Sequence, residues 1–305
     1  MEISEKMLID RINRLKKEKN AIILAHNYQI SEVQETADFV GDSLQLAQEA
    51  EKVEADIIVF AGVKFMAETA KLLNPEVKVL LSHGQAGCPM ADMITGEQLK
   101  KFKEENHGSV VVCYVNSSID VKAESDLCCT SSNAVKLINA LPEDKKILFV
   151  PDKNLGTWSA KQTGRNIKVW EGCCNVHNHL VTLSDVKKVR SKYPGYKLLV
   201  HPECRIEVCE AADFVASTKG MADFVAKNDN VIIGTEVGLV DALKIKYPGK
   251  NIVPLSERTV CVNMKKTALE DILLTLEEEK NEIILDKDIA EKALSAVERM
   301  LQMSR

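Results

Sequence analysis

The stretch GQAGCPMAD, residues 84–92, decides the fold, because its cysteine has two counterparts at nearly equal distances along the chain. Cys88, Cys174 and Cys261 are separated by 86 and 87 residues, each lying just past an apolar run and just before a helical pattern. Equal spacing of this kind signals an internal repeat. The same step carries other landmarks onto one another. AIILAHNY ends in His26 and Tyr28, SVVVCYVN in Tyr114 and Asn116, and YKLLVHPE in His201 and Glu203. An aspartate followed five residues later by a hydroxyl recurs as Asp38 with Ser43, Asp126 with Ser131 and Asp213 with Thr218. The chain therefore reads as repeats over 1–88, 89–174 and 175–261, with a C-terminal extension over 262–305 expected to pack back on the first repeat.

Within each repeat the order is helix, strand, helix, strand, helix, strand, which implies a parallel sheet between two layers of helices. Runs such as AIILAH and DIIVFAG show no polar alternation, as expected of strands covered on both faces. KYPG at 192–195 and again at 246–249 stops a helix before a strand. The tail reads as a helix over 264–279, a strand EIILD and a helix over 287–303. Parallel sheets bind ligands beyond the carboxyl ends of their strands, where the polar tips fall. The economical arrangement is three α/β/α repeats about a pseudo-threefold axis, with these tips and the three cysteines facing one central cavity.

Composition narrows the function. A chain of 305 residues is long for one core and divides comfortably into three. Hydrophobic content of 45% and charged content of 28% are ordinary for a globular protein, and no apolar run is long enough to span a bilayer. The start, MEISEKMLIDRINRLKKEKN, is amphipathic and charged rather than a signal or transit segment, so a cytoplasmic location is expected. Net charge of -5 without a basic block argues against nucleic acid. Nine cysteines, an odd number, in a reducing compartment point to metal ligation or burial rather than disulfides.

The expected cavity holds His26, Tyr28, Tyr114, Asn116, His201 and Glu203, with hydroxyls from Ser43, Ser131 and Thr218. Imidazoles and hydroxyls suit an anionic substrate, while Tyr28 and Glu203 can move protons. Three widely separated cysteines match no local zinc pattern. They suit an iron-sulfur cubane with one iron left open to act as a Lewis acid, which favours hydration or dehydration. Cys173 beside Cys174 leaves that ligand open between the two. Cys113, Cys128, Cys129, Cys204 and Cys209 read as buried apolar residues. Ser43, Ser131 and Thr218 could equally cap helices, and Asp38, Asp126 and Asp213 read as braces of the repeat. His83, His107, His177 and His179 do not recur and are read as surface or supporting groups. No GxGxxG phosphate fingerprint occurs.

These residues resemble the quinolinate synthase family over essentially the full length. The likeness is carried by ILAHNYQ, ADFVGDSLQLA, GCPMAD, YVNS, CTSSNAV, PDKNLG, VHPEC and VCVNMKK, in that order. The resemblance implies three homologous domains around a 4Fe-4S cluster bound by Cys88, Cys174 and Cys261. The family pattern of Cys, any residue, Val, His falls on Cys174, Val176 and His177 and selects Cys174 over Cys173. The implied reaction condenses iminoaspartate with dihydroxyacetone phosphate to quinolinate, phosphate and water. His26, His201, Ser43 and Thr218, with Ser217 adjoining, would hold the dicarboxylate, and Asn116 and Ser131 the triose phosphate. Tyr28, Tyr114 and Glu203 would handle protons, with His201 beside them. The family also implies a supplier of iminoaspartate, an aspartate oxidase or dehydrogenase. Two other readings are a diphthamide-type radical enzyme of similar architecture and a metal-free small-molecule binding protein.

Overall fold

The computed structural model describes residues 4–305. Repeat 1 runs α1 (Glu5–Glu18), β1 (Ala21–His26), α2 (Ser31–Thr36), β2 (Phe39–Gly41), α3 (Ser43–Ala50), β3 (Ile57–Ala61), α4 (Lys64–Leu73) and β4 (Lys78–Leu81). Repeat 2 follows as α5 (Gly96–Glu104), β5 (Val110–Tyr114), α6 (Ile119–Ala123), β6 (Leu127–Cys129), α7 (Ala134–Asn139), β7 (Ile147–Val150), α8 (Lys153–Thr163) and β8 (Ile167–Val169). Repeat 3 has α9 (Leu183–Lys192), β9 (Lys197–Val200), α10 (Ile206–Glu210), β10 (Phe214–Val215), α11 (Thr218–Lys227), β11 (Asn230–Gly234), α12 (Val237–Lys246) and β12 (Asn251–Pro254). Each repeat is one parallel sheet, ordered β2-β1-β3-β4, β6-β5-β7-β8 and β10-β9-β11-β12. Every residue of β3 and of β7 is buried, as the unbroken apolar runs require of strands lying between helices.

The sequence pattern supplies three strands per sheet; the structure has four. The additional strands β2, β6 and β10 are two or three residues long, too short to show a period. An aspartate sets each of them against its neighbour. Asp38 accepts the Ile23 N–H at 2.8 Å and returns its own N–H to the Ile23 carbonyl at 2.9 Å. Asp126 does the same with Val111 (2.7 and 3.1 Å), and Asp213 with Leu198 (2.8 and 2.9 Å). These aspartates are the braces that their spacing suggested.

Two features of the tail differ from the sequence reading. EIILD forms no strand: Glu282 makes a single antiparallel bridge to Leu80, and Ile284 is exposed. Asn281, at a left-handed φ of 59°, precedes that bridge. The helix expected over 264–279 is split into a 3-10 turn, Met264–Lys266, and α13 (Leu269–Glu278). The break is fixed by Thr267, whose hydroxyl meets Ser82 at 2.8 Å, and by Asp271, which accepts the Ala268 N–H at 2.9 Å.

The chain forms two compact units. One extends to Cys88 and takes up Cys261–Glu291; the other is Pro89–Val260 with Lys292–Arg305. In the first, Ile272, Leu273 and Leu276 of α13 share a core with Leu8 and Ile12 of α1 and with Ile23 and Val59 of the sheet. In the second, the end of α14 (Lys287–Ser304) lies along repeat 2 and not on the first repeat, where the whole extension was expected: Arg299 donates to the Asp126 carbonyl at 2.8 Å and Asn133 to Ser304 Oγ at 2.8 Å. Among the described residues no helix is long and apolar enough to cross a membrane.

Candidate active site

The strand tips are closed by a recurring turn. Gln29 donates its N–H to the His26 carbonyl and Cys204 to that of His201, both at 2.9 Å. In the same turns, Tyr28 N–H donates to His26 Nδ1 at 3.1 Å and Glu203 N–H to His201 Nδ1 at 3.4 Å. In the first unit, the His26 and Tyr28 rings meet edge to face at 4.6 Å, and Lys265 Nζ holds the Tyr28 carbonyl at 2.5 Å. The three recurrent hydroxyls are not helix caps. Asp42 caps α3 ahead of Ser43, and Ser217 caps α11 ahead of the buried Thr218. Ser131 instead meets His201 Nε2 at 3.2 Å.

Glu203 is the centre of the arrangement in the second unit. It is 3% exposed, with Oε2 at 2.5 Å from His177 Nδ1 and 3.5 Å from His201 Nδ1. The two imidazoles stack at 4.5 Å. Burial works against ionisation of Glu203, but the charges of His177 and His201 and hydrogen bonds from His177 and Tyr114 outweigh it and bring its pKa down to about 2. Asp152 is driven the opposite way, well above the usual carboxylate range, by complete burial and by the negative charge of Glu203. Two carboxyl groups pushed apart in this manner are the usual raw material of acid–base chemistry. Glu203 Oε1 and Asn116 Oδ1 are buried and make no hydrogen bond within the protein, so both offer themselves to a ligand.

His177 lies on a single π-helical turn, Val176–Leu180, a departure from α geometry common at functional sites. Its Nε2 rests on the buried Thr235 hydroxyl at 2.8 Å, which fixes the ring so that Nδ1 faces Glu203 and, at 3.3 Å, Cys174 Sγ. Asn154 donates from one amide nitrogen to Asn178 Oδ1 at 3.0 Å and to the Glu203 carbonyl at 2.9 Å, tying this turn to the β9 tip.

The three spaced cysteines are held alike. Cys88 follows β4, Cys174 follows β8 and Cys261 follows β12, and all three are half-buried and in no disulfide. In every repeat the first helical residue after the third strand donates its N–H to the carbonyl two positions before the cysteine. The pairs are Lys64 to Ala86 at 2.8 Å, Lys153 to Gly172 at 2.8 Å and Val237 to Thr259 at 3.0 Å. Cys174, rather than Cys173, occupies the equivalent position. Cys174 has one further support, its N–H reaching Asp152 Oδ2 at 3.1 Å. Cys113, Cys128, Cys129, Cys204 and Cys209 are buried; burial pushes the Cys129 and Cys204 thiols up, and that of Cys209 to about 12. Those three are poorly disposed to act as thiolates.

Comparison with known proteins gives the family. Residues 10–302 match the family described as quinolinate synthetase A protein. The chain belongs to that family. It is 52% identical to the quinolinate synthase of Alkaliphilus metalliredigens over 305 residues, covering 99% of this chain and all of the relative. It is 48% identical to a quinolinate synthase of Dehalococcoides mccartyi, covering 97% of this chain and 98% of the relative. Quinolinate synthase 2 of Methanosarcina acetivorans is also 48% identical, covering 99% and 97%.

Family membership leaves the local division of labour to the structure. The structure brings Tyr114, Ser131, His201 and Glu203 together through direct bonds or electrostatic contact, and His26 with Tyr28. It adds Asp152, Asn154 and Thr235, to which sequence reasoning assigned no role, and His177, expected as a surface or supporting group and instead buried against Glu203. The signals were faint: Asp152 and Asn154 lie in PDKNLG, and His177 closes the Cys-Asn-Val-His run.

Proposed function

We propose that the chain is a quinolinate synthase of NAD biosynthesis, condensing iminoaspartate with dihydroxyacetone phosphate to quinolinate, phosphate and water. The observation that carries the reading is Glu203: a buried carboxylate gripped on one oxygen by two imidazoles, with the other oxygen left for a ligand. A soluble condensation of small molecules needs such a group to shuttle protons, and Tyr114 adjoins it. Ser131 and His201 offer a paired hydroxyl and imidazole to an anionic oxygen, and Asn116 offers a buried amide oxygen that can accept from a substrate hydroxyl. His26, Ser43, Ser217 and Thr218 complete the anion-binding set, and Tyr28 is a second phenolic proton carrier.

Cys88, Cys174 and Cys261 are the ligands of a cubane cluster in this reading; each is a half-buried thiol held by the same backbone bond within its own repeat, which suits it to that role. When bound, the cluster supplies a Lewis-acidic iron that eases loss of water. In this reading the protein works in the cytoplasm, and an aspartate oxidase or dehydrogenase supplies the imine.

The test is anaerobic reconstitution followed by iron and sulfide analysis and a quinolinate assay, on the parent chain and on Cys88→Ala, Cys174→Ala and Cys261→Ala. The expected result is about four irons per chain, with cluster and activity lost together in each variant. A reconstituted parent chain without iron would favour a metal-free binding protein instead.

A further inference from the structure

Three side chains in the second unit converge in a way that cluster binding does not require. Cys174 Sγ, a ring nitrogen of His177 and a carboxylate oxygen of Glu203 all lie within 4.8 Å of one another. His177 Nδ1 is the shared neighbour, 3.3 Å from Cys174 Sγ and hydrogen-bonded to Glu203 Oε2 at 2.5 Å. Bonds of roughly 2.0–2.3 Å to a tetrahedral zinc place its donors roughly 3.3–3.7 Å apart. The sulfur–nitrogen separation therefore already suits such an ion, and the nitrogen–oxygen pair opens by about 1 Å when a metal replaces the proton between them.

The surroundings point the same way. A metal-bound imidazole usually has its other nitrogen anchored, and here Nε2 rests on Thr235 Oγ1 at 2.8 Å. Glu203 Oε1, buried and without a hydrogen-bond partner, is a further polar atom left for a ligand. One thiolate, one imidazole and one carboxylate form a mixed sulfur, nitrogen and oxygen set. That set suits a borderline-soft divalent ion and not magnesium or calcium, which take oxygen ligands.

We propose that the chain, when it carries no cluster, binds one divalent ion of the zinc class at Cys174, His177 and Glu203, leaving one coordination position open. Ion binding here stands independently of the proposed cluster. A consequence rests on the cluster reading: Cys174 cannot serve both, so an occupied site blocks cluster assembly until the ion leaves.

The experiment uses the full chain, purified anaerobically, stripped of iron with a chelator and titrated with Co²⁺. The expected result is saturable binding of one ion, with a thiolate-to-cobalt charge-transfer band and the intense visible bands of tetrahedral cobalt, both bleached by Zn²⁺. Cys174→Ser removes the charge-transfer band. His177→Ala and Glu203→Gln weaken binding by at least roughly tenfold, and Thr235→Val by roughly 10- to 100-fold through the anchored ring. Cys88→Ser and Cys261→Ser leave it unchanged. X-ray absorption of the zinc-loaded parent chain should show one sulfur with nitrogen and oxygen making up the shell, which decides the matter even where a variant fails to fold. A shell of three sulfurs, loss of the band in Cys88→Ser or Cys261→Ser, or absence of saturable binding would overturn the proposal. A chain that binds cobalt as described yet never takes up iron would sink the cluster reading alone.

Discussion

At the scale of single residues the site is governed by two carboxyl groups whose surroundings disagree. Glu203 is held near a pKa of about 2, below its ordinary 4.5, so it favours the native state above pH 4.5 and loses that contribution as pH falls toward 2. Glu203→Gln should remove this acid-dependent component from the unfolding profile. It should also lower kcat by roughly 100- to 10,000-fold while iron content stays that of the parent chain, as steady-state assay and metal analysis would show. Asp152 accepts the Leu155 N–H at 2.6 Å and the Cys174 N–H at 3.1 Å on different oxygens. Asp152→Asn turns one acceptor into a donor facing an N–H, at a cost of about 1–3 kcal/mol, measurable as a lower midpoint in urea. Cluster retention after gel filtration should fall with it, because the amide before Cys174 Cα is set free. Neither Asp152 nor His177 was legible in the repeat. Recurrence singles out positions that stay alike in three copies, whereas Asp152 aligns with Val63 and Glu236 as the residue before the helix, and His177 with Ala91 and Met264 three places past the cysteine.

At the scale of elements, the long buried strands and their helices were readable because apolar runs and 3.6-residue periods extend over enough residues to show. The short strands β2, β6 and β10 were not. Their information lies in Asp38, Asp126 and Asp213, a single polar residue each, which the sequence identified as braces without saying what they brace. The tail shows the converse error. EIILD has the composition of a strand, yet it makes only one bridge at β4. The preceding helix α13 is tied down at its end by Glu279, which receives Lys19 at 2.5 Å and Lys78 at 2.6 Å. Hydrogen bonds from Lys19 and then Lys78 lower its pKa to about 2. A lowered carboxylate stabilises above its ordinary 4.5 and ceases to do so as pH falls toward 2. Glu279 is partly exposed, so screening keeps the effect small, at most about 1 kcal/mol. Glu279→Gln should therefore lower thermal stability slightly at pH 7, by an amount that shrinks with added salt and disappears near pH 2 in a series of melting curves.

At the scale of the whole molecule, neither compact unit is a continuous piece of chain. The first borrows Cys261–Glu291 and the second borrows Lys292–Arg305, whereas each sheet lies within a single repeat. The difference is one of apolar area. Repeat 1 has α1 on the face where Ile23 and Val59 must be covered, and α1 alone leaves that core short of Leu269, Ile272, Leu273 and Leu276, all buried in the same cluster. Each fully buried leucine or isoleucine is worth about 1.5–3 kcal/mol, and four of them together match the net stability of an ordinary domain, about 5–15 kcal/mol. A fragment of residues 1–88 should therefore lack cooperative unfolding and protected amides in hydrogen exchange. Adding a peptide of residues 261–291 in trans should restore protection in β1 and β3. In the intact chain, Leu276→Ala should cost about 2–5 kcal/mol and speed exchange in β1 and β3 of the first unit, while β5 and β9 of the second keep their protection. A fragment 1–88 that unfolds cooperatively by itself would show that the first sheet needs no help from α13.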